Sequence, residues 1–82
     1  MKLETKNGKL YVGEKKVLKG WESFSGWYWF DTELNNDKVH FGLVQGFCDE
    51  LGYFSERELN DQYPRVWKIN DIDLPHAGRR EE

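Results

Sequence analysis

An 82-residue chain with 38% hydrophobic and 33% charged residues has room for one domain with one core, burying roughly 60% of the surface its unfolded form exposes. Twelve Lys and Arg against fifteen Asp and Glu leave a net charge of −3, the wrong sign for a domain that binds by neutralising phosphates. No apolar run nears the ~20 residues of a bilayer span, the N-terminus lacks the apolar stretch of a secretory signal, and the single Cys48 can form neither an internal disulfide nor a multi-cysteine zinc site. The expectation is a cytoplasmic protein without membrane contact, held together by packing.

The first element is a hairpin. Asn7-Gly8 can take positive φ at both centres of a type I′ turn, so the flanking segments pair with Thr5 opposite Leu10 and Leu3 opposite Val12. That register sends Leu3, Leu10 and Val12 to one face and Glu4, Lys6, Lys9 and Tyr11 to the other. The early lysines then read as a solvated face that discourages edge pairing. Residues 13–16 read as a second turn, Val17-Leu18-Lys19 as a third strand, and residues 20–26 as a connection.

Residues 26–55 hold eight of the thirteen aromatic residues. The pattern predicts strands near 27–34 and 38–47, joined through Asn35-Asn36-Asp37. With Asn36-Asp37 as the turn, Leu34 faces Val39, Thr32 faces Phe41, Phe30 faces Leu43 and Tyr28 faces Gln45. The opposite face pairs Trp27 with Gly46, Trp29 with Val44, Asp31 with Gly42 and Glu33 with His40. An indole lying across a strand glycine covers backbone that the glycine leaves bare, which gives the tryptophans a structural purpose.

Ser55 followed by Glu58 is a capping box, and Phe54 with Leu59 is the matching hydrophobic staple, so a helix is predicted to start at Ser55. Pro64 restricts Tyr63 and ends that helix by about residue 62. Val66-Trp67-Lys68-Ile69 alternates like a last strand, and residues 76–82 have nothing to bury, so they read as a disordered tail after a 1–75 domain. The fold class expected is α+β: a small single domain, mostly antiparallel hairpins, with one short capped helix.

The strings GWYWFDTE, KVHFGLVQGF and DELGYFSERELN resemble a family of small uncharacterised proteins that recur in plasmids, phages and integrative elements. Its members carry a WYATE-like strand, an FFGYV-like strand and a DEWGYFSLxEL-like helix start, and the likeness covers residues 26–60. Here Trp29-Phe30 replaces the small residue of WYATE, and Leu51 stands where a tryptophan is expected. The resemblance implies a fold and a genomic setting, that of a mobile-element accessory protein, and no chemistry.

Catalytic patterns are weak. Nothing in the spacing joins Cys48 to His40 as nucleophile and base, and His40, Cys48, Asp49 and Glu50 lack a two-plus-two metal spacing. Asp71 with Asp73, and Asp31 with Glu33, alternate as the solvated side of a strand does. No glycine-rich phosphate loop occurs. The chain is read as using no cofactor, no metal and no catalytic residue. The binding reading rests on Trp27 and Trp29, rimmed by Asp31, Glu33 and His40, as an aromatic centre for a protein partner. Stacking of single-stranded nucleic acid on the indoles is the alternative, opposed by the acidic neighbours; a metal-binding or minor enzymatic role is the third.

Overall fold

The computed structural model describes residues 3–33, 39–73 and 78. Its first unit is a three-stranded antiparallel sheet of β1 (Leu3–Lys6), β2 (Lys9–Val12) and β3 (Lys15–Lys16), in that order. Leu3 pairs with Val12 and Thr5 with Leu10, and Asn7 and Gly8 have φ of 53° and 77°, as the turn chemistry requires. The third strand is shorter and earlier than residues 17–19. Past it, the Val17 N–H donates to the Leu10 carbonyl at 2.9 Å while the Leu18 N–H donates to the Asp31 carbonyl at 2.8 Å. The chain thus passes from one sheet to the next between two consecutive residues.

The second sheet has five antiparallel strands: β4 (Lys19–Ser23), β5 (Tyr28–Asp31), β6 (Val39–Gln45), β7 (Asp49–Ser55) and β8 (Val66–Lys68). They lie in the order β7-β6-β5-β4-β8. Across β5 and β6, Tyr28 meets Gln45, Trp29 meets Val44, Phe30 meets Leu43 and Asp31 meets Gly42, the register that the aromatic alternation predicts. The Asn35-Asn36-Asp37 turn and the Leu34–Val39 pair lie outside the described residues. Residues 20–26 are not merely a connection: β4 takes Gly20 to Ser23 and is bonded on both sides, to β5 and β8.

The α+β expectation is corrected to an essentially all-β fold, because strand makes up 54% of the described residues and helix 7%. Two facts produce the change. The segment before the capping box, Asp49–Ser55, is a seven-residue strand paired along its whole length with β6. The helix it feeds, α1 (Glu56–Asn60), is a single turn and a half. Its cap is the predicted one, with Ser55 Oγ accepting from the Glu58 N–H at 3.3 Å, but the chain turns away at residues 61–65.

Each face of the large sheet has its own cover. Leu3, Leu10 and Val12 of the small sheet, with Val17 just after it, pack on Phe30 and Leu43, with Tyr28, Ile69 and Ile72 at the margin. The other face buries Trp21 against Leu59 of α1 and Val66, flanked by Trp29 and Phe54. The Trp21 indole N–H donates to Asn60 Oδ1 at 3.1 Å, which satisfies the polar atom of a fully buried ring and ties α1 to the sheet. Of residues 76–82 only Gly78 is described; it sits so close to Leu3 and Phe30 that a Cβ there would come within 2.5 Å of Leu3. The rest of the predicted tail lies outside the described residues.

Candidate functional site

The five residues proposed as a partner surface separate into two groups. Asp31 and His40 are inside: their relative exposures are 0% and 3%. The face that alternation assigns to the tryptophans is therefore largely a second core, closed over by α1, and these two side chains are unavailable to a partner. Glu33 is exposed and pairs with Lys15 at 2.7 Å, while its backbone N–H donates to Asp31 Oδ1 at 2.9 Å. Trp29 is half-buried beside Trp21, and Trp27 is half-buried at the end of the sheet.

Around His40 the structure gathers groups that strand alternation alone does not bring together. Asp31 Oδ2 lies 2.9 Å from Nδ1, Glu56 Oε2 lies 3.5 Å from Nε2, and Lys19 reaches Glu56 at 3.5 Å. The close Asp31–His40 approach is off the line of an N–H···O bond, and neither ring nitrogen nor Asp31 Oδ2 completes a hydrogen bond with another described residue. Burial pushes the Glu56 carboxyl up, but the Lys19 ammonium and His40 outweigh it and hold Glu56 below the usual carboxylate range. Trp21 and Phe54 cover the imidazole, with ring centroids 5.6 and 5.7 Å away. This buried row connects β4, β5 and β6 to the first residue of α1, which is a structural task. Cys48 follows the far end of β6 from His40, so the two do not form a nucleophile and base. Among the described residues no three His, Cys, Asp or Glu side chains converge as metal ligands.

Three of the exposed aromatic side chains lie at one end of the large sheet. The β4–β5 and β6–β7 connections are at the same end because both are hairpin tips in adjacent, antiparallel pairs. The residues before β8 join them there, since Val66 pairs with Ser23. Phe24 at the first tip is 73% exposed, Phe47 at the second 97%, and Tyr63 beside β8 73%. Trp27 bridges the tips: its ring lies over Gly46, where a Cβ would come within 2.5 Å of the indole, and it meets Phe47 edge-on at 5.3 Å. Trp29 continues the row at 6.1 Å.

These tips are held by hydrogen bonds. The Ser23 N–H donates to the Trp27 carbonyl at 2.9 Å, the Trp27 N–H to Ser23 Oγ at 3.1 Å, and the Phe24 N–H to the Arg65 carbonyl at 3.0 Å. Gly26, at φ 87°, closes the first tip in a conformation that favours glycine. At the second, the Gly46 N–H donates to the Cys48 carbonyl at 3.2 Å and Gln45 Nε2 to Asp49 Oδ2 at 3.0 Å. The Cys48 thiol donates to Glu50 Oε1 at 3.3 Å; that bond and the carboxylate's charge push the thiol up from its ordinary range, so it stays protonated.

Sequence reasoning placed Trp27 over Gly46 but missed Phe24, Phe47 and Tyr63. A signal was present for Phe47. It follows a strand whose inward positions are already filled, within a short turn that leaves an apolar ring without cover from the core.

No family model, curated protein or solved structure matches the chain. Among the described residues no helix is long and apolar enough to cross a membrane.

Proposed function

We propose that the protein is a small, non-enzymatic, cytoplasmic interaction module whose contact surface is the aromatic end of the five-stranded sheet: Phe24, Trp27 and Phe47, flanked by Tyr63. The observation that carries this reading is the near-complete exposure of Phe47, at 97%, at the same end of the sheet as a second exposed phenylalanine on a hydrogen-bonded tip. Removing a phenylalanine from water is favourable by about 1.5–3 kcal/mol, and folding leaves that gain unused at both tips. A pre-formed backbone lowers the ordering cost that a partner would otherwise meet. Exposed aromatics gathered on rigid turns are the composition of an interface centre. On the resemblance of residues 26–60, the setting is that of an accessory protein of a mobile element. Asp49 and Glu50 beside the second tip disfavour a phosphate backbone there.

The experiment is affinity capture from the native host with the wild-type chain and with a Phe24→Ser/Phe47→Ser variant of equal melting temperature. The expected result is a species retained by the wild type and lost by the variant. Equal retention by both contradicts the reading.

A further inference from the structure

Beside the second tip lies a small cleft of about 160 Å³, lined by Trp27, Val44, Gly46, Phe47, Cys48 and Glu50. Its volume is well below the ~300–1,000 Å³ of drug-sized ligand sites and suits one side chain. The walls are specific in kind. Trp27 and Phe47 stand at 78° to one another, so they form a corner that presents ring surface from two directions. Glu50 supplies the charge. Its carboxylate accepts from the Cys48 thiol at 3.3 Å, which holds it beside the cleft. Among the described residues no lysine or arginine forms an ion pair with Glu50 or with its neighbour Asp49.

From this juxtaposition we infer that the cleft takes the cationic head of a lysine or arginine side chain from a basic segment of the partner. Indole and phenyl faces attract a cation through the ring quadrupole, tryptophan most strongly. A carboxylate at the rim adds a charge-assisted hydrogen bond to the ammonium or guanidinium. The apolar parts of Val44 and the rings accommodate the methylene stem, as happens wherever long cationic side chains lie along apolar surface. A neutral apolar side chain of the same length fills the volume and leaves the carboxylate unused. A phosphate or carboxylate meets Glu50 as a like charge. The inference rests on the aromatic end being the contact surface and adds the chemistry of what contacts it.

The test uses the whole chain, labelled with nitrogen-15, and three probes: the N-acetyl methylamides of lysine, arginine and norleucine. Trp27→Phe identifies the Trp27 indole signal. Lysine or arginine should shift that signal together with the Phe47 and Cys48 amides, and norleucine should leave them in place. Glu50→Gln and Phe47→Ala, both at exposed positions, should each weaken the cationic probe about two- to fivefold. Glu14→Gln, an exposed acid elsewhere, should not. An equal response to norleucine, an unchanged response in Glu50→Gln, or no shift at the cleft would overturn the inference. Loss of the captured species in Phe24→Ser/Phe47→Ser with unshifted probes would leave the contact surface standing and reject the cationic chemistry. Shifted probes with capture unaffected would do the reverse.

Discussion

Replacing Asp73 by Ala should loosen the attachment of the C-terminal segment to the first hairpin. Asp73 Oδ1 accepts from the Leu10 backbone N–H at 2.8 Å and from Lys16 Nζ at 3.0 Å. The Leu10 donor is where the short third strand has already ended, so the carboxylate takes the place of a strand partner, while Val17 serves the Leu10 carbonyl. Hydrogen bonds to a charged group contribute about 1.5–3 kcal/mol. The Lys16 pair, with about a third of each side chain exposed, adds no more than ~1 kcal/mol after solvent screening. A loss of about 2 kcal/mol is expected for Asp73→Ala. Asp73→Asn should lose less, since an amide oxygen can still accept from Leu10. At roughly 4–8 °C per kcal/mol for a domain of this size, Asp73→Ala should melt about 8–16 °C lower.

The pH dependence has a definite sign. The Leu10 N–H, opposed by burial and reinforced by Lys16, holds the Asp73 carboxyl below its ordinary value. The unfolded chain therefore binds this proton more readily than the folded one, and acid favours unfolding. The stabilisation is complete above the unfolded value, about 3.9, and is lost as pH falls through the lower folded one. Urea midpoints of wild type and Asp73→Ala, measured from pH 7 downwards, should differ by a constant amount to about pH 4 and then converge. A difference that stays constant below that point, or no difference at pH 7, would refute the assignment.

Other substitutions separate core from surface. Ser55→Ala should cost on the order of 1 kcal/mol through the lost cap, seen as a lower urea midpoint with the slope unchanged. Trp21→Ala should cost about 3–5 kcal/mol because a fully buried indole is removed, whereas Phe47→Ala should stay within about 0.5 kcal/mol of wild type. Gly46→Ala puts a Cβ where the Trp27 ring now lies, so it should displace the Trp27 indole signal in a nitrogen-15 spectrum while the Trp21 signal holds.

Local devices were legible in the chain. The Asn7-Gly8 turn sets its own register, the Phe30–Leu43 pairing follows from alternation, and the Ser55–Glu58 cap is complete within four residues. What was illegible depends on distant partners. Lys19–Ser23 carries a glycine and three polar residues and becomes a strand because β5 and β8 bond both its edges. Gly20 is useful there for its size: a Cβ would lie 3.1 Å from Ile72 and 3.2 Å from Ile69 and Phe30. The strand Asp49–Ser55 contains Asp49, Glu50 and Gly52, poor strand formers, and is held by pairing to β6. The burial of Asp31 and His40 was hidden for the same reason. Alternation shows which face they share, but the groups that close it come from other elements, Trp21 from β4 and Glu56 and Leu59 from α1. Once that face is covered, Asp31 and His40 drop out of the surface open to a partner, and the exposed aromatic rings are those of the hairpin tips, Tyr63 and Tyr53 of β7.

A photoreactive phenylalanine analogue placed at position 47, with the same analogue at Glu14 as control, tests whether that end meets another molecule. Irradiation in the native host should give one defined adduct from position 47 that is absent from position 14 and suppressed by excess wild-type chain. Equal labelling from both positions, or an adduct that wild type does not compete away, would contradict the account.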